Sequence, residues 1–298
     1  MKNNNWLAEI KIIIFDMDGT LYQDDTFMER YIRYLLEGTE HEANTASTVK
    51  TGNAILTGEH PFGFGHFYHS RDHVILNRLE DGSIKGYTWE GDAIQDPAKR
   101  YDSIPAPDLV HIGDPWGIAA VISQHYKLPD DKLQHAFNRV RNEMLIAPHQ
   151  LATHRGLFQA IEELDLSKKV LMTNTHLESG IEFLNYLQIH HIFEEVICGA
   201  EKPAGMENYL SSLLEEGYGA HEILSIGDNP WNDLYPVKRM GGRTCFISPY
   251  VSHDTESWDI RLTTLDELEQ LIRAVNDSKL RRRTTDGTNP TEADQQEV

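Results

Sequence analysis

Two carboxylates stand two residues apart in Asp16-Met17-Asp18-Gly19-Thr20-Leu21, directly after the β-branched run Ile12-Ile13-Ile14-Phe15. A continuous apolar run of this kind reads as a strand buried on both faces of a parallel sheet, so the acids emerge where the strand ends. Alternate residues of an extended chain point the same way, and Gly19 lets the backbone turn sharply after them. One carboxylate can then attack while the other moves a proton. A carboxylate is a weak nucleophile, but phosphoryl transfer through a loose transition state asks mainly for position and charge compensation. Asp16 is therefore assigned as nucleophile towards a phosphate monoester, giving an aspartyl-phosphate that water removes. Asp18 is assigned as general acid for the leaving alcohol and general base for the water, with its main-chain carbonyl as a metal ligand.

Three further stretches follow apolar runs. In Val170-Leu171-Met172-Thr173-Asn174 the Thr173 hydroxyl, with the next backbone amides and Asn174, suits phosphate oxygens, although a threonine after a strand also serves as a helix cap. In Gly199-Ala200-Glu201-Lys202-Pro203 a lysine before a proline-initiated helix can hold the nucleophile and the phosphate together; the plain alternative is a surface lysine. In Ile226-Gly227-Asp228-Asn229-Pro230-Trp231-Asn232-Asp233 hard oxygen ligands on a short loop suit Mg2+. Asp228 is the better direct ligand. Asp233 opens the next helix, either as a second-sphere or water-mediated ligand or as a charge on the helix dipole.

The elements that must position these groups are a set of buried strands alternating with helices. Runs at 170–172, 195–197, 223–226 and 244–247 read as strands, and apolar spacing at three and four predicts helices at 157–164, 177–187, 206–214, 233–240 and 265–275. The alternation predicts an α/β, doubly wound parallel core. The second buried run begins at Val170, far beyond what a crossover after Phe15 needs, so a second unit is inserted. Residues 1–21 and 150–276 are assigned to the core, 22–149 to the insert and 277–298 to a disordered tail that includes Arg281-Arg282-Arg283. Within the insert, 27–36, 118–125 and 131–144 read as helices, and 74–89 as a β-hairpin around Asp81-Gly82. The stretches 40–54 and 91–107 read as loops. Gly113-Asp114-Pro115-Trp116 and Gly227-Asp228-Asn229-Pro230-Trp231 look alike without making a repeat.

The chain has 298 residues, 40% hydrophobic and 25% charged, which suits a folded globular protein of a core plus one substantial addition. Its formal net charge of -20 repels nucleic-acid phosphates and anionic membranes, so neither is an expected partner. A phosphorylated small molecule then needs local cations and a metal to counter the average field. With only Cys198 and Cys245 and no membrane span or signal-like run, reduced thiols and a cytoplasmic location are expected.

Taken in order, the four stretches resemble the haloacid dehalogenase superfamily over roughly residues 8–22 and 150–275. The resemblance implies a Rossmann-like core, Mg2+ as cofactor and matching roles for Asp16, Asp18, Thr173, Lys202, Asp228 and Asp233. The dehalogenase branch lacks the second aspartate that stands here as Asp18, and the transport ATPases follow their nucleophile with lysine where this chain has Met17; both are excluded. The insert resembles the superfamily's first-type cap, a lid that excludes water and selects substrate, but it is longer than typical and contains a hairpin. Inside it, His60, His66, His69 and His73 with Arg71 are read as structural, with a substrate pocket or a transition-metal site as alternatives. Trp89, Trp116 and Tyr87 are read as core packing. The expected activity is hydrolysis of a small phosphorylated metabolite, a sugar phosphate or nucleoside monophosphate. A phosphomutase and a non-catalytic phosphate sensor are the alternatives.

Overall fold

The computed structural model describes residues 5–79, 81–97, 101, 109–254 and 258–286. Strand β1 (Ile12–Phe15) leads into the insert, which contains helices α1 (Phe27–Leu36) and α2 (Thr45–Thr57). Strands β2 (Phe67–His69), β3 (Val74–Arg78), β4 (Ile84–Thr88), β5 (Ala93–Ile94) and β6 (Leu109–His111) follow. Helices α3 (Pro115–His125) and α4 (Asp130–Glu143) return the chain to the core. There α5 (Arg155–Glu162), β7 (Lys168–Thr173), α6 (Leu177–Leu187), β8 (Glu195–Cys198), α7 (Ala204–Glu215) and β9 (Ile223–Gly227) alternate. A π-helical turn (Pro230–Leu234), α8 (Tyr235–Arg239), β10 (Arg243–Ile247), β11 (Ile260–Leu262) and α9 (Leu265–Asp286) complete it.

The core sheet is parallel throughout, in the order β11-β10-β9-β1-β7-β8. Phe15 pairs with Leu171 on one side and Ile226 on the other, so the carboxyl ends of β1, β7 and β9 lie side by side. The strand order turns back across β1, which is where open α/β sheets place their ligand crevice. All four β1 side chains are fully buried, Ile13 and Phe15 in one hydrophobic cluster and Ile12 and Ile14 in another. Burial of each contributes about 1.5–3 kcal/mol, which anchors the strand that carries Asp16.

The insert departs from its sequence reading in two places. The hairpin around Asp81-Gly82 is present as β3 and β4, with Gly82 at φ +80, but it belongs to a five-stranded antiparallel sheet in the order β5-β4-β3-β2-β6. Much of the supposed loop at 40–54 is α2, which buries Thr48, Val49, Gly52 and Ile55; a Cβ on Gly52 would stand 2.5 Å from Ile32 Cδ1. At the carboxyl end α9 runs on to Asp286, so 277–286 extends the core's last helix instead of opening a tail. Lys279 Nζ there donates to the Ile10 carbonyl at 2.8 Å. The rest of the expected tail lies outside the described residues. The helix expected at 233–240 splits into the π-helical turn and α8. Among the described residues no helix is long and apolar enough to cross a membrane.

Besides its two chain crossings, the insert grips the core through residues 64–67. His253 N donates to the Phe64 carbonyl at 2.7 Å, the His66 and His253 rings stack with centroids 4.5 Å apart, and Phe67 meets Trp231 edge-on at 5.2 Å. Burial, then the neighbouring His253, pushes His66 down to about 3, so this contact is one of neutral rings. Gly65 sits at φ +91, and a Cβ there would lie 2.4 Å from Asp254 N. Gly65→Ala is therefore expected to lower the free energy of unfolding by about 1–3 kcal/mol in denaturant titrations. An unchanged midpoint would show that this contact does not hold the insert to the core.

Candidate active site

The ammonium of Lys202 organises the carboxyl edge of the sheet. Its Nζ donates to Asp16 Oδ1 at 2.7 Å, Asp233 Oδ1 at 2.6 Å and the Met172 carbonyl at 2.8 Å. Three donors meet three acceptors, and the side chain is almost wholly buried. Burial works against the lysine charge, but Asp16 and Asp233 overcome it and hold the ammonium above the usual lysine range. The acids show the opposite imbalance. Burial pushes Asp16 up to about 8 in spite of Lys202, with Asp233 and Asp18 adding like charge. Asp228 is raised well above the carboxylate range by burial and then by Asp114 and Asp16, and Asp233 is raised by burial against the pull of Lys202.

Asp16, Asp228 and Asp233 bring carboxylate oxygens within 4.8 Å of one another. Gly19 makes this possible: at φ +78 its missing Cβ leaves room for Asp228, whose Oδ2 would stand 1.9 Å from that atom. Three buried acids facing one ammonium leave an excess of negative charge in a concave, oxygen-only donor set, which fits a hard divalent cation. Asp233 is tied down, with Oδ1 on Lys202 and Oδ2 accepting from Asn229 N at 3.1 Å, so its first task is to hold the lysine and the Asp228 loop. The two similar Gly-Asp segments meet here. Asn229 Nδ2 donates to Asp114 Oδ2 at 2.6 Å, and a Cβ on Gly113 would fall 2.2 Å from Asn229 Cγ. Each segment opens a helical turn with proline in its first turn, so the likeness is one of local geometry.

At the end of β7, Thr173 Oγ1 accepts from Thr175 N at 3.1 Å and keeps its own proton for another acceptor. Asn174 acts differently from its assignment. Its Oδ1 accepts from Lys202 N at 2.7 Å and its Nδ2 donates to the Lys202 carbonyl at 3.2 Å, so the side chain clamps the lysine backbone and only its main-chain N–H remains for a phosphate. Asp18 is held by three groups the sequence reading did not identify: the Tyr22 hydroxyl, Arg141 Nη1, and Thr175 Oγ1 at 2.8 Å. Arg141 comes from α4 of the insert, is 1% exposed, lies over the Phe183 ring at 3.3 Å and donates to Ser179 Oγ at 3.1 Å. Burial opposes its charge, and Asp18 with Tyr22 more than restores it. One sequence signal was present: Arg141 stands four residues after Phe137 and three before Met144, on the apolar stripe of α4.

Every residue assigned from the sequence borders one cavity of ≈ 310 Å³. Its far wall comes from the insert and includes Tyr31, Trp116 and Phe137; Trp116, expected only to pack, thus faces the cavity as well as stacking on Phe27 at 3.9 Å. None of the histidines at 60–73 borders it. They serve locally, as His73 does by bonding the Tyr68 hydroxyl at 2.7 Å. Removing one member of the buried Arg141–Asp18 pair strands the other charge, so Arg141→Met should cost about 3–5 kcal/mol of stability. Adding Asp18→Asn should recover part of that loss in the same thermal or urea titrations; strictly additive losses would show that the pair is uncoupled.

A sequence model described as haloacid dehalogenase-like hydrolase matches residues 10–241. No curated protein matches the chain. Among solved structures, the chain is similar to a haloacid dehalogenase-like family hydrolase from Xanthomonas campestris, at 16% identity and a TM-score of 0.43, covering 92% of this chain and 95% of that one. It is also similar to a putative hydrolase of the same family from Bacillus subtilis bound to magnesium, at 15% identity and a TM-score of 0.47, covering 88% and 98%. A predicted phosphoglycolate phosphatase from Haemophilus somnus gives 15% identity and a TM-score of 0.48 over 88% and 98%. The family match spans both the first strand and the acidic loop after β9, and the chain belongs to the haloacid dehalogenase-like hydrolases.

Proposed function

We propose that this hydrolase is a Mg2+-dependent phosphatase of small phosphate monoesters that works through an aspartyl-phosphate on Asp16. The observation that carries the proposal is the placement of Asp16 at the cavity floor, one oxygen held by Lys202 and two further buried carboxylates beside it. Asp16, Asp228 and the Asp18 main-chain carbonyl would hold the cation, with Asp233 behind them through Lys202 and Asn229. Bound there, Mg2+ supplies charge compensation for the phosphate oxygens. Lys202 orients one Asp16 oxygen and leaves the other to attack phosphorus. The Thr173 hydroxyl and the Asn174 backbone N–H accept the phosphate oxygens as donors. As the bond to the leaving oxygen breaks, Asp18 gives that oxygen a proton, and in the second half it takes one from the water that attacks the aspartyl-phosphate. Its grip by Tyr22, Arg141 and Thr175 must loosen for this transfer, so the insert takes part in the proton step.

Purified protein is expected to release phosphate from p-nitrophenyl phosphate and from members of a metabolite panel only with Mg2+, and Asp16→Asn should reduce turnover by more than about a thousandfold. Silence across the panel with Mg2+ present would reject the reading.

The acid cluster also links metal to pH. A carboxyl raised in the folded state binds its proton more tightly there than in the unfolded chain. Asp16's contribution is thus complete below about pH 4 and is lost as pH rises towards about 8. A divalent cation offsets that loss, so the gain in Tm on adding Mg2+ should be larger at pH 8 than at pH 5. Equal gains at the two pH values would count against these carboxylates as the ligands.

A further inference from the structure

The wall of the cavity opposite Asp16 differs in chemistry from its floor. Lys202 is the only lysine or arginine that borders the cavity, and its three donors are already taken. Five carboxylates border the same space: Asp16, Asp18, Asp114, Asp228 and Asp233. The nearest other cation, Arg141, is buried beneath Trp116 and Phe137 and paired with Asp18. A carboxylate or second phosphate on the leaving group would therefore enter a negative field with no partner.

The far wall is also poor in free hydrogen-bonding groups. Its surfaces are Tyr31, Trp116, Leu133 and Phe137, with Gln134 and His176 as the polar members. Both of these are turned towards Asn138: Gln134 Nε2 donates to Asn138 Oδ1 at 2.9 Å, and His176 Nε2 lies 3.2 Å from the same oxygen. The other His176 nitrogen accepts from Ser179 N at 3.4 Å. A polyhydroxylated leaving group would lose water on this wall and find few replacements. Flat apolar surface would gain, because the ring cluster is braced by Phe27 stacked on Trp116 and by Phe137 packed against Trp116 at 5.3 Å.

Resting on the phosphatase reading, we infer that the leaving alcohol is uncharged and carries a flat ring, as in a nucleoside 5′-monophosphate, and bears no second anion. The geometry places the phosphate against Asp16, Lys202 and Thr173 and the ring against Trp116 and Phe137.

The test compares kcat/KM with Mg2+ for adenosine and uridine 5′-monophosphates, glucose 6-phosphate, phosphoglycolate and fructose 1,6-bisphosphate. At least one nucleotide should exceed each of the other three by tenfold or more, on the order expected for one well-filled apolar contact. Trp116→Leu should lower kcat/KM for that nucleotide, mainly through KM, several-fold more than it does for glucose 6-phosphate. Gln134→Lys, a change at an exposed rim position, should raise kcat/KM for phosphoglycolate by supplying the missing cation. Preference of the wild type for glucose 6-phosphate, phosphoglycolate or the bisphosphate would overturn the substrate class while the phosphatase reading stood, because release would still depend on Asp16. If no ester is hydrolysed, the phosphatase reading itself fails. Calorimetry on the Asp16→Asn variant then judges the wall separately: tighter binding of a nucleotide than of the other esters supports the inference, and equal or weaker binding overturns it.

Discussion

Lys202 is one positive charge among three buried acids, and the arrangement of the core follows from keeping it there. Unit charges of like sign 4 Å apart repel by about 4 kcal/mol at the effective dielectric of a protein near its surface. Asp16, Asp228 and Asp233 would separate if the chain let them. They are held by parallel pairing of β1 with β7 and β9, which places three strand ends in a row, and by burial of the whole of β1 beneath them. The lysine is then clamped from both sides of its backbone by Asn174, while Asp233 spends one oxygen on its ammonium and the other on the Asn229 amide. The sheet stores a surplus of negative charge at one edge, and the raised acids are the measure of it.

The insert is connected to this surplus rather than hung over it. Arg141 sends a charge from α4 onto Asp18, two residues from the nucleophile, and Asp114 at the start of α3 bonds the residue next to Asp228. On the other side, residues 64–67 and His111 pack on Trp231 and His253 of the core. The five-stranded sheet within the insert carries Phe67 and His111 to these contacts. A lid tied at so many points fixes the wall that faces the phosphate site, which is what selection by shape requires.

The core was legible in the sequence because its chemistry is local. Asp16 and Asp18 share one turn, Asp228 and Asp233 share another, and each follows an apolar run long enough to read as a buried strand. The partners of Asp18 were not legible for the opposite reason. Arg141 lies far along the chain from Asp18, and nothing in its neighbourhood says which acid it meets. Asn174 was placed at the site correctly but its amide was assigned to the phosphate, since spacing cannot show that Lys202 presents both an N–H and a carbonyl to it. The insert's sheet escaped notice because β2 and β6 have three residues each, too few for a period of two to stand out. Helix α2 was hidden by its threonines and glycine, whose burial depends on α1 lying against them. Trp116 was read as packing, and it does pack; that its ring also borders the cavity is a property of the assembled fold.

Charge and shape are divided between the two parts of the molecule. The core supplies nearly all the charge that meets the phosphate, and the insert supplies a wall almost free of it. With a net charge of -20, the protein as a whole cannot draw a phosphorylated ligand by its long-range field. Attraction has to be short-ranged, from the cation site and Lys202 for the phosphate and from buried ring surface for the remainder. Apolar contact of that kind is insensitive to salt and to the surrounding negative field. It is therefore the interaction best able to select among phosphate esters in a cavity whose own carboxylates outnumber its cations.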